Sequence, residues 1–331
     1  MDRRAFISGA SLVLLAAPLT GEAQQADRIR RIGLLIPFAE SDVEAQAQIA
    51  AFHEALRTLG WNEGRNVRID YRWAAQDTAR IRAFAKELIE LQPDVILART
   101  TPVTAALQKE TRTIPIVFAV VSDPVGDGIV ASLARPGGNV TGFTNVDASL
   151  GSRWLQLLKE IAPRIRRVAF MFDPKMAPGG GAYYRRLIQG AAPSIGVQVI
   201  ETAVHDAADI KRAIDAFTRE PNGGLIVLPD VTNVNHRRGT ISLAAHHRLP
   251  AIYPTDYFTK DGGLMSYGTD YLDLYRKAAS YVDRILRGAK PNDLPVQGPI
   301  KFQLVINLKA AKALGLTIPP SLLQRADQVI E

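Results

Sequence analysis

The chain has 331 residues, 47% of them hydrophobic and 22% charged, a balance that suits a folded globular chain and not a disordered one. Cysteine is absent, which excludes disulfides, thiolate metal sites, thiol nucleophiles and a lipid-bearing cysteine. The formal charge of +7 is spread over expected helix faces (Arg80, Arg82, Arg164, Arg185, Arg237) with no aromatic ladder beside it, so a nucleic-acid partner is not expected.

Residues 1–23 read as an export signal. Arg3 and Arg4 form a short basic region, residues 11–17 are mostly apolar, and small residues Gly21 and Ala23 stand at positions −3 and −1 of a cut after Ala23. The apolar run is far shorter than the ~20 residues of a bilayer span. The run Asp2-Arg3-Arg4-Ala5-Phe6-Ile7 also resembles a twin-arginine signal, with an ordinary secretory signal as the alternative. Removing this segment leaves 308 residues and the same charge, enough for two domains. Without a lipid anchor or a later apolar span, the product is expected to move freely in the periplasm of a bacterium with an outer membrane.

Strands and helices then alternate. Residues 31–37 are a short apolar run, 43–59 have helical spacing ending at Gly60, and 67–73 alternate with period two. Residues 78–91 form an amphipathic helix closed by Pro93; 94–98 and 114–119 are buried-strand patterns around a helix at 102–110. The alternation restarts with a helix at 155–161. Strands are expected at 167–172, 196–200, 224–228 and 251–253, with helices at 183–191, 207–217 and 237–247 between them. The tail adds a strand at 264–267, a helix at 272–286, a strand at 302–307 and a helix at 308–314. Such alternation implies parallel sheets with helices on both faces, and two blocks imply two similar α/β units. Whether the last elements extend the second block or return to the first is open from periodicity alone.

In doubly wound sheets, ligands bind beyond the carboxyl ends of strands. Those positions are Pro37-Phe38, Arg99-Thr100-Thr101, Val121-Ser122-Asp123, Asp173-Pro174, Pro229-Asp230 and Tyr253-Pro254. Hydroxyls, carboxylates and aromatic rings suit a small polar molecule. Asp and Pro after strands are also ordinary turn chemistry, and Thr100-Thr101 suits a helix cap.

Catalytic patterns do not assemble. There is no GxSxG elbow, HExxH, Walker loop or GxGxxG after the first strand. His246 and His247 are helical neighbours on different faces, poor geometry for one metal. Gly179-Gly180-Gly181 lacks the Lys-Ser/Thr that would make it a phosphate loop, and reads as a flexible turn. No enzyme activity, metal or cofactor is expected.

The stretch 123–142, from Asp123-Pro124-Val125-Gly126-Asp127-Gly128 to Pro136-Gly137-Gly138-Asn139-Val140-Thr141-Gly142, closely resembles a signature of ABC-transporter substrate-binding proteins related to tryptophan- and tyrosine-binding members. Segments 157–163, 248–253, 262–268 and 302–331 are similar to the same family, so the resemblance spans the whole expected mature chain. It implies the type I periplasmic-binding fold, two α/β lobes joined by about three crossings with ligand in the cleft. It also implies that the last strand and helix return to the first lobe. The expected division is 28–145 with 296–331 as one lobe and 146–295 as the other, with crossings near 145, 268 and 296. Pro136-Gly137-Gly138-Asn139 suits a turn between a helix and the last strand of the first lobe.

The expected ligand contacts are Phe38, Thr100, Thr101, Ser122 and Asp123 from one lobe and Asp173, Asp230, Tyr253 and Asp256 from the other. A ligand ammonium would pair with one of the carboxylates, and hydroxyl or backbone N–H groups would hold a ligand carboxylate. Asp256 has a helix-capping role as its alternative, and Tyr267 is assigned to the hinge region. Relatives carry aromatic residues after an Asp-Pro where this chain has Asp230-Val231-Thr232-Asn233-Val234-Asn235, so a ligand smaller or more polar than an aromatic amino acid is expected. The partners expected of a monomeric receptor are that small molecule and an inner-membrane ABC permease. An exported sensor, or a hydrolase or isomerase working in the same cleft, is the alternative.

Overall fold

The computed structural model describes residues 28–331; the expected export signal lies outside the described residues. The first sheet is built from β1 (Arg30–Ile36), β2 (Val67–Trp73), β3 (Val95–Arg99), β4 (Ile116–Val121) and β5 (Val140–Thr144), all parallel, in the order β2-β1-β3-β4-β5. Between them run α1 (Val43–Thr58), α2 (Thr78–Glu90) and α3 (Thr101–Glu110). Strand periodicity decides the two faces. Val95 and Leu97 join Ile49, Phe52 and Leu56 of α1, whereas Ile96 and Ala98 join Ile81, Ala85 and Leu88 of α2. Asp42 and Asp77 start α1 and α2 by accepting backbone N–H bonds at 2.8 and 2.7 Å. No helix precedes the Gly137 turn: residues 122–139 are turns and bends, held by Gly126 N–H on Asp123 and Gly137 N–H on Asn292.

After β5 the chain enters a second α/β unit. It contains α4 (Leu150–Ile161), β6 (Arg167–Phe172), α5 (Ala182–Ile195), β7 (Gln198–Ala203), α6 (Ala207–Phe217), β8 (Gly223–Val227), α7 (Val231–Asn235), α8 (Arg237–His246), β9 (Ala251–Tyr253), α9 (Asp256–Lys260) and β10 (Met265–Thr269). Next comes α10 (Tyr271–Leu286), followed by β11 (Phe302–Asn307), α11 (Leu308–Ala313), α12 (Pro320–Gln324) and β12 (Gln328–Ile330). The second sheet has seven strands in the order β12-β11-β10-β9-β8-β6-β7. Among the described residues, no helix is long and apolar enough to cross a membrane.

The tail corrects the expected division into lobes. The element that returns to the first lobe is α10, whose Leu274, Ala278, Val282 and Ile285 pack with α1 and the first sheet. The segment from Phe302 onward stays with the second: β11 pairs with β10, and Ala311 and Leu322 join that lobe's core. Geometry explains it. The chain leaves the second sheet after Thr269 and comes back at Phe302, its partner across the ladder, so β11 must run antiparallel to β10. Helical spacing alone could not say which sheet the apolar stripe of α10 would meet.

The passages between lobes are tied to one another. Thr269 Oγ1 donates to the Asn145 carbonyl at 2.8 Å, Asp270 N–H to the Lys301 carbonyl at 3.1 Å, and Thr144 N–H to the Gln297 carbonyl at 2.9 Å. Tyr267 is outside this bracing and stacks on Phe302 in the second sheet, 5.7 Å between ring centroids. Gly142 lies on β5 at φ +152°, and a Cβ there would sit 2.1 Å from the Phe118 carbonyl oxygen. Gly142→Ala is therefore expected to destabilise the protein by at least about 3 kcal/mol, read as a fall in the thermal unfolding midpoint, because strand and backbone must shift together.

Candidate functional site

The carboxyl ends of both sheets face one gap, and the structure holds the two lobes against each other across it. Ser122 Oγ and Tyr184 OH lie 2.9 Å apart, Gly179 N–H donates to Asp127 Oδ1 at 3.0 Å, and Arg186 reaches Asp123 at 3.4 Å. The Gln76 and Asn235 side-chain amides also meet across the gap. The glycine run singled out in the sequence thus serves as an interlobe contact: Gly179, Gly180 and Gly181 all have positive φ, which lets the loop after β6 fold onto the 123–128 turn.

These contacts enclose a cavity of only about 40 Å³. Its floor comes from the first lobe, where Arg99 ends β3 and Phe38, Thr100, Thr101 and Ser122 follow β1, β3 and β4. The second lobe contributes Met176, Pro178, Asp230, Val231 and Val234, and Tyr257 and Tyr271 close the hinge side. The backbone is strained on the first-lobe side. Thr100 and Val120 take φ of +75° and +63°, values that β-branched residues rarely adopt, and the β4–β5 register shifts between Ala119 and Val121. Strain of about 1–3 kcal/mol per residue persists only where surrounding packing enforces it, and it gathers at functional sites.

The expected contacts divide into those that meet here and those that do not. Phe38, Thr100, Thr101, Ser122 and Asp230 line the cavity. Asp123 is spent on Gly126 N–H and Arg186 outside it. Asp173 borders an adjoining hollow of about 440 Å³, where Thr232 Oγ1 donates to it at 2.7 Å and His205 Nδ1 lies 3.2 Å away. Asp173 thus stands between the hydroxyl and the imidazole, which do not bond each other. Tyr253 is corrected: it is buried in the second-lobe core, stacked on Phe258 at 5.1 Å between centroids. Its side chain follows the pleat of the three-residue β9 away from the gap. Asp256 is corrected as well, since it lies in the first turn of α9, pairs with Lys260 at 2.5 Å and borders a separate hollow near Glu44.

Asp230 does structural work at the cavity wall. Its Oδ1 accepts the Asn233 N–H at 2.7 Å and so caps α7, while Oδ2 accepts the Asp173 N–H at 3.0 Å and the Asn233 side-chain amide at 2.9 Å. Burial pushes its carboxyl up to about 7, with the Asp173 charge adding to the rise against those N–H donors. Residues Val231–Asn235 form a short helix, and Val231 and Val234 present apolar groups to the cavity.

Sequence reasoning missed Arg99, Met176, Val231, Val234, Tyr257 and Tyr271 as cavity residues. Arg99 carried a signal: a charged residue closing the otherwise apolar run Val95-Ile96-Leu97-Ala98. Its side chain is only 4% exposed, lies 4.2 Å from the centroid of Phe38, and has no hydrogen-bond partner on Nε or Nη1. Tyr271 had no such signal, because nothing local reveals that α10 starts at the cleft.

Residues 38–330 match the family described as ABC transporter substrate binding protein. A tyrosine-binding protein of Clostridioides difficile is 26% identical over 276 residues, covering 80% of this chain and 75% of that one. A domain from Streptococcus pneumoniae in complex with L-Trp is 26% identical with a TM-score of 0.84, covering 91% of this chain and 99% of that one. A ligand-free, open substrate-binding protein from Clostridium difficile is 25% identical with a lower TM-score of 0.70, covering 91% and 99%.

The Asp230 carboxyl makes stability depend on pH. The folded chain keeps a proton that the unfolded chain releases between about pH 4 and pH 7, so stability falls as pH rises through that window and levels off above it. Asp230→Asn is expected to flatten this part of the profile by about one proton's worth of slope, measured from urea midpoints between pH 4 and 8. An unchanged slope would show that Asp230 is ionised throughout.

Proposed function

The chain belongs to the ABC transporter substrate-binding protein family, and from that premise we propose that it is the exported receptor of an importer, binding a small molecule between its lobes and delivering it to an inner-membrane permease. The observation that carries this reading is the cavity itself, lined from both lobes at the carboxyl ends of the parallel strands of two sheets, between which the chain passes near Asn145, Thr269 and Lys301. A cavity of about 40 Å³ has room for water and not for an amino acid, so a ligand requires the lobes to part and close again around it. Hinge closure of this kind is driven by contacts that are better made in the closed form.

The working location is the periplasm, with residues 1–23 removed, and the receptor is monomeric. Its ligand is an amino acid or a related small polar or aromatic molecule. The named ligands of the relatives, tyrosine and L-Trp, support this size class. Phe38, Tyr257 and Tyr271 offer aromatic walls, Thr100, Thr101 and Ser122 offer hydroxyls, and the helix N-terminus after Thr100 offers free N–H groups.

Calorimetric titration of the mature chain with L-tryptophan, L-tyrosine, L-phenylalanine and a set of small acids, amides and sugars tests the proposal. One ligand is expected to saturate at one per chain and to raise the unfolding midpoint, by about 2.7 kcal/mol of added stability at one hundred times its Kd. Turnover of a compound without stoichiometric binding would overturn the receptor reading in favour of an enzyme.

A further inference from the structure

We propose that the cleft is built for a small carboxylic acid, with the carboxylate held between the Arg99 guanidinium and the N-terminus of α3, and that it holds no counter-charge for a ligand ammonium. The proposal rests on the receptor reading and names the chemistry of its ligand.

Arg99 is the first observation. A guanidinium cannot shed its proton, and burying one without a partner is costly. Here it lines the cavity, 4% exposed, with Nε and Nη1 bonded to nothing. Its Cζ lies 4.2 Å from the Phe38 ring centroid, a cation–π contact that helps to hold the group at the cavity wall. The edge of an arginine is the part that matches a carboxylate in two parallel hydrogen bonds.

The second observation is independent. The ten-residue helix α3 begins at Thr101, beside Arg99, and carries no side-chain cap. Thr100, its N-cap residue, has its Oγ1 buried and unpartnered. Pro102 has no N–H, so the N–H groups of Thr101 and Val103 are the donors left at the positive end of the helix. The guanidinium and the helix end thus present donors only, and the Thr100 hydroxyl is free to donate as well.

The third observation concerns the opposite sign. Asp230 is the one carboxylate among the residues lining the cavity, and its oxygens already accept from Asn233 N–H, Asp173 N–H and the Asn233 amide. An ammonium would have to compete with the cap of α7. Beside Tyr257, the rest of the second-lobe wall is Met176, Pro178, Pro229, Val231 and Val234, which suits an aliphatic or aryl group. Closing over a carboxylate neutralises Arg99, whereas closing over a neutral or cationic molecule leaves it bare. The anion therefore favours the closed form selectively.

The experiment is calorimetry on the mature wild-type chain with matched probes: butyrate, benzoate and 3-phenylpropionate, the amide of each, phenethylamine and L-phenylalanine. At least one acid is expected to bind at one per chain, its amide at least about 100-fold more weakly, and phenethylamine not at all. L-Phenylalanine is expected to bind no more tightly than 3-phenylpropionate. Arg99→Gln should weaken the acid by about 100-fold, with Arg99→Lys recovering part of the loss, both with the unfolding midpoint at or above that of the wild type. If Arg99→Gln fails to fold, the acid-against-amide comparison on the unmodified chain still decides. Binding of an amide or the amine as tightly as the acid, or of L-phenylalanine 100-fold more tightly, overturns the carboxylate proposal and leaves the receptor reading standing. Failure of every probe to bind overturns it as well, and failure of the wider amino-acid and sugar set would then remove the receptor reading too.

Discussion

The constraint on which the rest depends is that the chain crosses between its lobes at a single level. Thr269 and Phe302 face each other on the β10–β11 ladder, so the excursion through α10 leaves and re-enters the second sheet at one rung. Thr269 Oγ1 then holds the Asn145 carbonyl, and Asp270 N–H holds the Lys301 carbonyl, which binds the passages to one another. Because both sheets are fed from this level, their carboxyl ends face a common gap. The cavity, the strained Thr100 and Val120 beside it, and the glycine loop that spans it all follow from that arrangement.

The charge layout gives the gap its character. Carboxylates near it are already spent: Asp123 on Arg186, Asp173 on Thr232 and His205, Asp230 on the start of α7. The cation is not. A buried guanidinium without a partner raises the free energy of the closed form, and the Phe38 ring offsets only part of that. In the proposed cycle this imbalance keeps the unliganded lobes apart and makes the arriving anion the reason they close.

Much of the fold was legible in the sequence because strand and helix periods alternate cleanly. Val95 to Ala98 and Ile116 to Val121 are buried on both faces and read as continuous apolar runs, as central parallel strands do. The position of Thr100, Thr101 and Ser122 followed from the rule that ligands sit beyond strand ends. What failed was long-range. The destination of α10 and of Phe302 to Asn307 depends on which sheet offers an open flank, and no local pattern encodes that. Tyr253 was misplaced because, in so short a strand, one step of the pleat decides between core and cleft. Arg99 was legible in principle, because a lone charge ending an apolar strand is itself a sign of a buried ionic site.

The central claim is that the two lobes close around a ligand in this gap. Thr78 and Lys175 stand on opposite sides of it, both exposed and bordering the same hollow, and the chain has no native cysteine to interfere with labelling. The most direct measurement is therefore the distance between spin labels on Thr78→Cys and Lys175→Cys, before and after saturation with the tightest-binding acid. The account predicts a long or broad distribution that collapses to one short distance when the acid is added. A distribution that does not change on saturation would contradict it.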